Sequence, residues 1–78
     1  MTRRVVEYLS PWLLDHPDEL EIHEAEGERG ALVLELTVNP EDMGKIIGKR
    51  GRIIRSIRSL ARAAGQVGGE TVLVEVVD

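Results

Sequence analysis

Gly44-Lys45-Ile46-Ile47-Gly48-Lys49-Arg50-Gly51-Arg52-Ile53-Ile54 lies just past the middle of a 78-residue chain, and its reading decides the fold. Two glycines three positions apart interrupt an apolar stretch of helical character. The spacing predicts two helices joined by the loop Gly48-Lys49-Arg50-Gly51. Glycines without side chains let another backbone approach closely. A helix beginning after Gly51 would turn the positive end of its dipole toward the loop, a natural place for phosphate oxygens. Lys49 and Arg50 add positive charge at the same point.

Downstream of the loop, a helix from about Arg52 to Ala64 is expected, with Gly65 as its stop. At 100° per residue, Ile53, Ile54, Ile57, Leu60, Ala61 and Ala64 share one face, and Arg52, Arg55, Arg58, Ser59 and Arg62 share the other. The apolar face is expected on the core. Arg52 and Arg55, nearer the loop, extend its positive surface, whereas Arg58 and Arg62 read more simply as a solvated face. Upstream, Asn39-Pro40-Glu41-Asp42 is a helix start: a cap, proline at the first helical position and carboxylates in the first turn. That helix is brief, weakened by Gly44 and ended by Gly48.

The flanks read as strands. Leu20 and Ile22 alternate with Glu19, Glu21 and His23, and Gly27-Glu28-Arg29-Gly30 makes a hairpin turn. In the next strand Leu32, Leu34, Leu36 and Val38 share one face, while Val33, Glu35 and Thr37 share the other. Gly68-Gly69 precede a last strand, Thr71 to Val77. At the N-terminus, Val5, Val6, Leu9, Trp12 and Leu13 recur at helical spacing after a capping Thr2. Pro11 either kinks that helix or starts a second short turn capped by Ser10. Trp12 and Tyr8 are expected in the core rather than as base-stacking platforms. The order is α-β-β-α-α-β. An α+β fold follows, with three helices packed on one face of a three-stranded mixed sheet whose last two strands are parallel.

Composition bounds the function. Seventy-eight residues make one domain, 1–78. Without cysteine there is no disulfide, thiolate metal site or cysteine nucleophile. No apolar run is long enough for a membrane span, so a cytoplasmic location without membrane contact is the default. The net charge of −4 is unevenly spread. From Lys45 to Arg62 there are seven basic residues and no acidic one; the other sixty residues hold three basic and fourteen acidic, a balance of −11. Such segregation focuses a polyanion onto one site. His16 and His23 lack partners for metal binding or catalysis, so no catalytic residue, metal or cofactor is expected, and the chain is not read as an enzyme. Nucleotide loops fail on spacing: a P-loop would need glycine where Met43 stands and Ser or Thr at Arg50, and the dinucleotide fingerprint needs glycine at Ile46.

Ile46-Ile47-Gly48-Lys49-Arg50-Gly51-Arg52-Ile53-Ile54 resembles the KH-domain signature, an aliphatic pair, Gly-x-x-Gly, and an aliphatic residue three positions on. The element order is that of the type II KH fold. Asp15-His16-Pro17-Asp18-Glu19-Leu20 and Pro40-Glu41-Asp42-Met43-Gly44-Lys45 are similar to the small stand-alone bacterial KH proteins of the KhpA family. The resemblance covers essentially the whole chain. It implies an RNA-binding protein, a post-transcriptional regulator or RNA chaperone, in which Gly48, Lys49, Arg50 and Gly51 clamp about four nucleotides of single-stranded RNA. Lys45, Arg52 and Arg55 would border that clamp, and Ile47 and Ile54 would line the groove for bases. It also implies a homodimer, or a heteromer with a larger RNA-binding protein carrying KH and R3H domains. The alternative is a protein–protein adaptor whose nucleic-acid binding is incidental.

Overall fold

Alternation of apolar and polar residues over 32–37 produces the central strand, and the rest of the molecule is arranged on it. The computed structural model describes residues 2–77, the side chain of Lys49 excepted. Helix α1 spans Thr2–Leu13, followed by a 3-10 turn Pro17–Glu19, strand β1 Glu21–Glu26, a tight turn Glu28–Gly30, strand β2 Leu32–Thr37, helix α2 Pro40–Val67 and strand β3 Val72–Val76. The sheet order is β1-β2-β3, with β1 antiparallel and β3 parallel to β2. Leu34 and Leu36 of β2 are fully buried and meet Val72 and Val74 of β3, Ile22 of β1, and Ile46, Ile54, Ile57 and Ala61 of α2 in one core. This is the expected mixed sheet with its helices on one face.

Helix α2 is where the chain reverses. Unbroken, its 28 residues would run about 42 Å, longer than the 33 Å of the molecule's greatest extent. Left-handed backbone at Arg50 (φ +64°) and Gly51 (φ +67°) splits it into two arms, residues 40–49 and 52–67, both of which reach the core. The anticipated four-residue loop is therefore tighter than expected: Gly48 and Lys49 remain helical, and only two residues turn. The first arm starts as the sequence indicates, with Asn39 Oδ1 accepting from Glu41 N at 2.8 Å and Pro40 at the first position.

Four expectations are corrected. Gly65 does not stop the helix, which continues to Val67. A Cβ there would fall 2.5 Å from Val72 Cγ2 and 2.8 Å from Glu70 O, so glycine lets α2 close onto β3. Pro11 opens no new turn: α1 is one helix through it to Leu13. The carbonyl of Glu7, which the proline cannot serve, accepts from Ser10 Oγ at 2.8 Å instead. Tyr8 and Trp12 are not core residues: they are 74% and 79% exposed. The buried line of the α1 segment is Thr2, Val6, Ser10 and Leu14, four apart, which leaves both aromatics facing outward. Leu60, placed on the apolar face of α2, is 44% exposed at the margin of the α1–α2 seam.

One carboxylate ties the two helices together. Asp42 is fully buried; its Oδ1 accepts from Asp15 N at 2.8 Å and its Oδ2 from His16 N at 2.9 Å. The first turn of α2 thereby holds the segment leaving α1. His16 beside it faces Glu19 at 3.5 Å and Glu41 at 3.6 Å. Slight burial disfavours its charged form, but the hydrogen bond with Glu41 and the charges of Asp42, Glu41 and Glu19 outweigh this and raise its pKa. Asp42→Ala would leave two amides without their acceptor, and should cost about 3 kcal/mol in urea unfolding, with Asp42→Asn losing less. A loss below about 1 kcal/mol for the alanine variant would contradict the clamp.

Candidate nucleic-acid interface

Glycine is required at position 51 and not at position 48, and that contrast marks the candidate site. Gly51 has left-handed backbone, and a Cβ would lie 3.4 Å from Ile54 Cγ2. Gly48 has ordinary helical geometry, and a Cβ added there meets nothing within 4 Å; the same holds for Gly44, one turn earlier. Glycine inside a helix costs about 0.5–1 kcal/mol relative to alanine. The fold gains nothing from either residue, so their effect is to leave bare backbone on the solvent side of α2. Arg50, a non-glycine residue in left-handed backbone, carries a further cost of about 1–2 kcal/mol at the tip of the turn.

Around this turn the structure gathers cations. Gly44, Lys45, Gly48, Arg52 and Ile53 line a hollow of about 370 Å³ on one side. Arg52, Arg55, Ser56, Ser59 and Leu60 line a shallower one on the other, so Arg52 stands between them. Among the described residues, none of Arg50, Arg52, Arg55, Arg58 and Arg62 has an acidic partner within 4 Å. Lys45 does: its Nζ lies 3.2 Å from Asp15 Oδ1 in an exposed pair, which is weak enough to exchange for another anion. The side chain of Lys49, also expected here, lies outside the described residues.

Of the two isoleucines expected to line a groove, Ile47 is 55% exposed beside Gly48, while Ile54 is buried. Ile54 acts from beneath, as the nearest contact of the position Gly51 leaves bare. Arg58 is the residue that sequence reasoning undervalued. Its Nε donates to Val74 O at 3.2 Å, and with Arg62 it faces β3 across a hollow of about 300 Å³. The helical wheel placed it with the solvated arginines, and only the approach of α2 to β3 distinguishes it from them.

The glycines give opposite signs on substitution. Gly48→Ala should raise stability by about 0.5–1 kcal/mol, and Gly51→Ala should lower it by about 1–2 kcal/mol. Thermal unfolding of the two variants checks this; destabilisation by Gly48→Ala would mean that the fold itself requires that glycine.

The sequence profile of the family described as KhpA/KhpB, KH domain matches residues 3–76. A protein of Clostridium acetobutylicum named RNA-binding protein KhpA is 43% identical over 75 residues, covering 96% of this chain and 99% of its own length. A relative of the same name from Aquifex aeolicus is 39% identical over 74 residues, covering 95% of this chain and 92% of its own length. Another, from Streptomyces coelicolor, is 37% identical over 78 residues, covering all of this chain and 94% of its own length.

Proposed function

The chain belongs to the KhpA/KhpB KH-domain family, and from that premise we propose that it binds single-stranded RNA at the reversal of α2, without catalysing a reaction. The observation that carries this reading is the bare backbone at Gly48, which the fold does not require, set beside arginines that have no acidic partner among the described residues. A sugar–phosphate backbone crosses Gly48 and Gly51 at close range. Lys49, Arg50 and Arg52 neutralise its phosphates, with Lys45 and Arg55 at the margins. Phosphate contacts of this kind position a strand without reading its sequence. Bases turn toward Ile47 and the space between the second arm of α2 and β3, where stacking and hydrogen bonds hold them.

One such site spans about four nucleotides, so a single copy binds weakly. Pairing of sites provides the remainder by raising effective concentration. Tyr8 and Trp12, four residues apart on α1, are an exposed apolar surface that suits a second copy or a larger KH- and R3H-containing RNA-binding protein. No helix of the described residues is long and apolar enough to cross a membrane. As an RNA-binding protein of this family, it acts on this reading in the cytoplasm as a post-transcriptional regulator or RNA chaperone. The same apolar surface favours the adaptor reading, in which partner binding comes first and RNA is incidental.

Fluorescence anisotropy with a labelled, degenerate single-stranded RNA separates the two. Three or four phosphate contacts give a slope of roughly −2 to −3 for log K against log salt. The wild type should show that slope, and Lys49→Asp/Arg50→Asp, equally folded by circular dichroism, should bind at least tenfold more weakly. Equal binding by both proteins, or a slope near zero, would overturn this site and favour the adaptor.

A further inference from the structure

β3 is an edge strand, and its open side is only partly covered. Leu32 N donates to Thr71 O at 2.9 Å and Val77 N to Leu36 O at 2.8 Å. Backbone groups of a parallel strand alternate in direction, so the odd-numbered residues of β3 face β2, and the amides and carbonyls of Val72, Val74 and Val76 point outward. Unpaired edge groups of this kind are recognition elements. On that side lies the hollow shared with Arg58 and Arg62, and the Val74 carbonyl is occupied by Arg58 Nε at 3.2 Å. This bond is at the long limit of the usual range. It uses one of the five N–H donors of a guanidinium that has no acidic partner within 4 Å among the described residues.

We propose that Arg58 is the base-selecting residue of this chain and that cytosine is the base it selects; the proposal rests on RNA occupying the site described above. The physical reason is an exchange of partners. A base entering the hollow meets the outward amide and carbonyl of Val74, with Glu75 on the same lining; of these Val74 O adjoins a planar fork of donors that leaves that carbonyl to bind the base. Cytosine carries the complementary set along a single edge: the N4 amine to donate to Val74 O, then N3 and O2 to accept two parallel bonds from Arg58. No partner of the original bond is left unsatisfied, which is the condition for discrimination by hydrogen bonds. Uracil places its N3–H against the fork. Adenine offers one acceptor beside its amine. Guanine opposes the fork with two donors on its pairing edge, and its N7/O6 edge has no amine for Val74. Lysine cannot replace arginine here, because an ammonium lacks the planar pair of donors.

Anisotropy with eight-nucleotide C, U and A homopolymers, for the wild type and for Arg58→Lys, Arg58→Gln and Lys49→Asp/Arg50→Asp, tests this. The wild type should bind the C oligomer about tenfold tighter than the U or A oligomer, the scale of one bidentate base contact. Arg58→Lys should bind the U oligomer within about twofold of wild type, with the three oligomers brought level, and Arg58→Gln should also lose the preference. A wild type that binds all three equally, or an Arg58→Lys variant that keeps the preference for C, overturns the assignment. In either case, loss of binding in Lys49→Asp/Arg50→Asp leaves the RNA site itself standing. Failure of the wild type to bind any oligomer removes both.

Discussion

The left-handed pair Arg50-Gly51 is the constraint on which the rest of the structure depends. Helix α2 is longer, if straight, than the molecule it belongs to, and its two arms cover the sheet only because the chain reverses there. One of the two residues is glycine, which takes this backbone without cost, and the other is an arginine, which does not. Placing the strained residue at the tip of a charged turn sets a cation where it is exposed. Stability and presentation of charge are thus linked at one point in the backbone.

Two other contacts make that reversal hold. Asp42 fixes the start of α2 to the segment leaving α1 through two amide hydrogen bonds. Gly65 lets the end of α2 close against Val72 and the carbonyl of Glu70. Between these anchors Ile46, Ile54, Ile57 and Ala61 bury the inner side, and the outer side remains for lysine, arginine and bare glycine backbone. The acidic remainder of the chain, at −11, would repel a polyanion from other surfaces and so favour this one.

Much of this was legible in the residues. The glycine pair announced a reversal between helices, the alternation in 32–38 gave the buried face of β2, and Asn39-Pro40 marked a helix start that the structure reproduces. What was not legible depended on tertiary approach. Gly65 reads as a terminator in sequence because its true neighbour, Val72, is brought to it only by packing. Asp42 looks like a surface carboxylate in a first turn, since its partners stand 26 and 27 residues away. In a twelve-residue helix with apolar residues on several sides, Tyr8 and Trp12 could be assigned to the core, and the structure turns both outward while burying Thr2 and Ser10. Arg58 is separated from Arg55 and Arg62 only by the carbonyl of Val74, which no helical wheel includes.

The central claim is that RNA lies across the reversal of α2 and toward the edge of β3. Titration of ¹⁵N-labelled protein with an unlabelled eight-nucleotide single-stranded RNA, followed by amide chemical shifts, tests it most directly. The largest shifts are expected at residues 44–55 and 72–76, with the amides of Gly48 and Gly51 foremost and those of β1 scarcely moved. Shifts concentrated instead on α1 around Tyr8 and Trp12, with Gly48 and Gly51 unaffected, would contradict it.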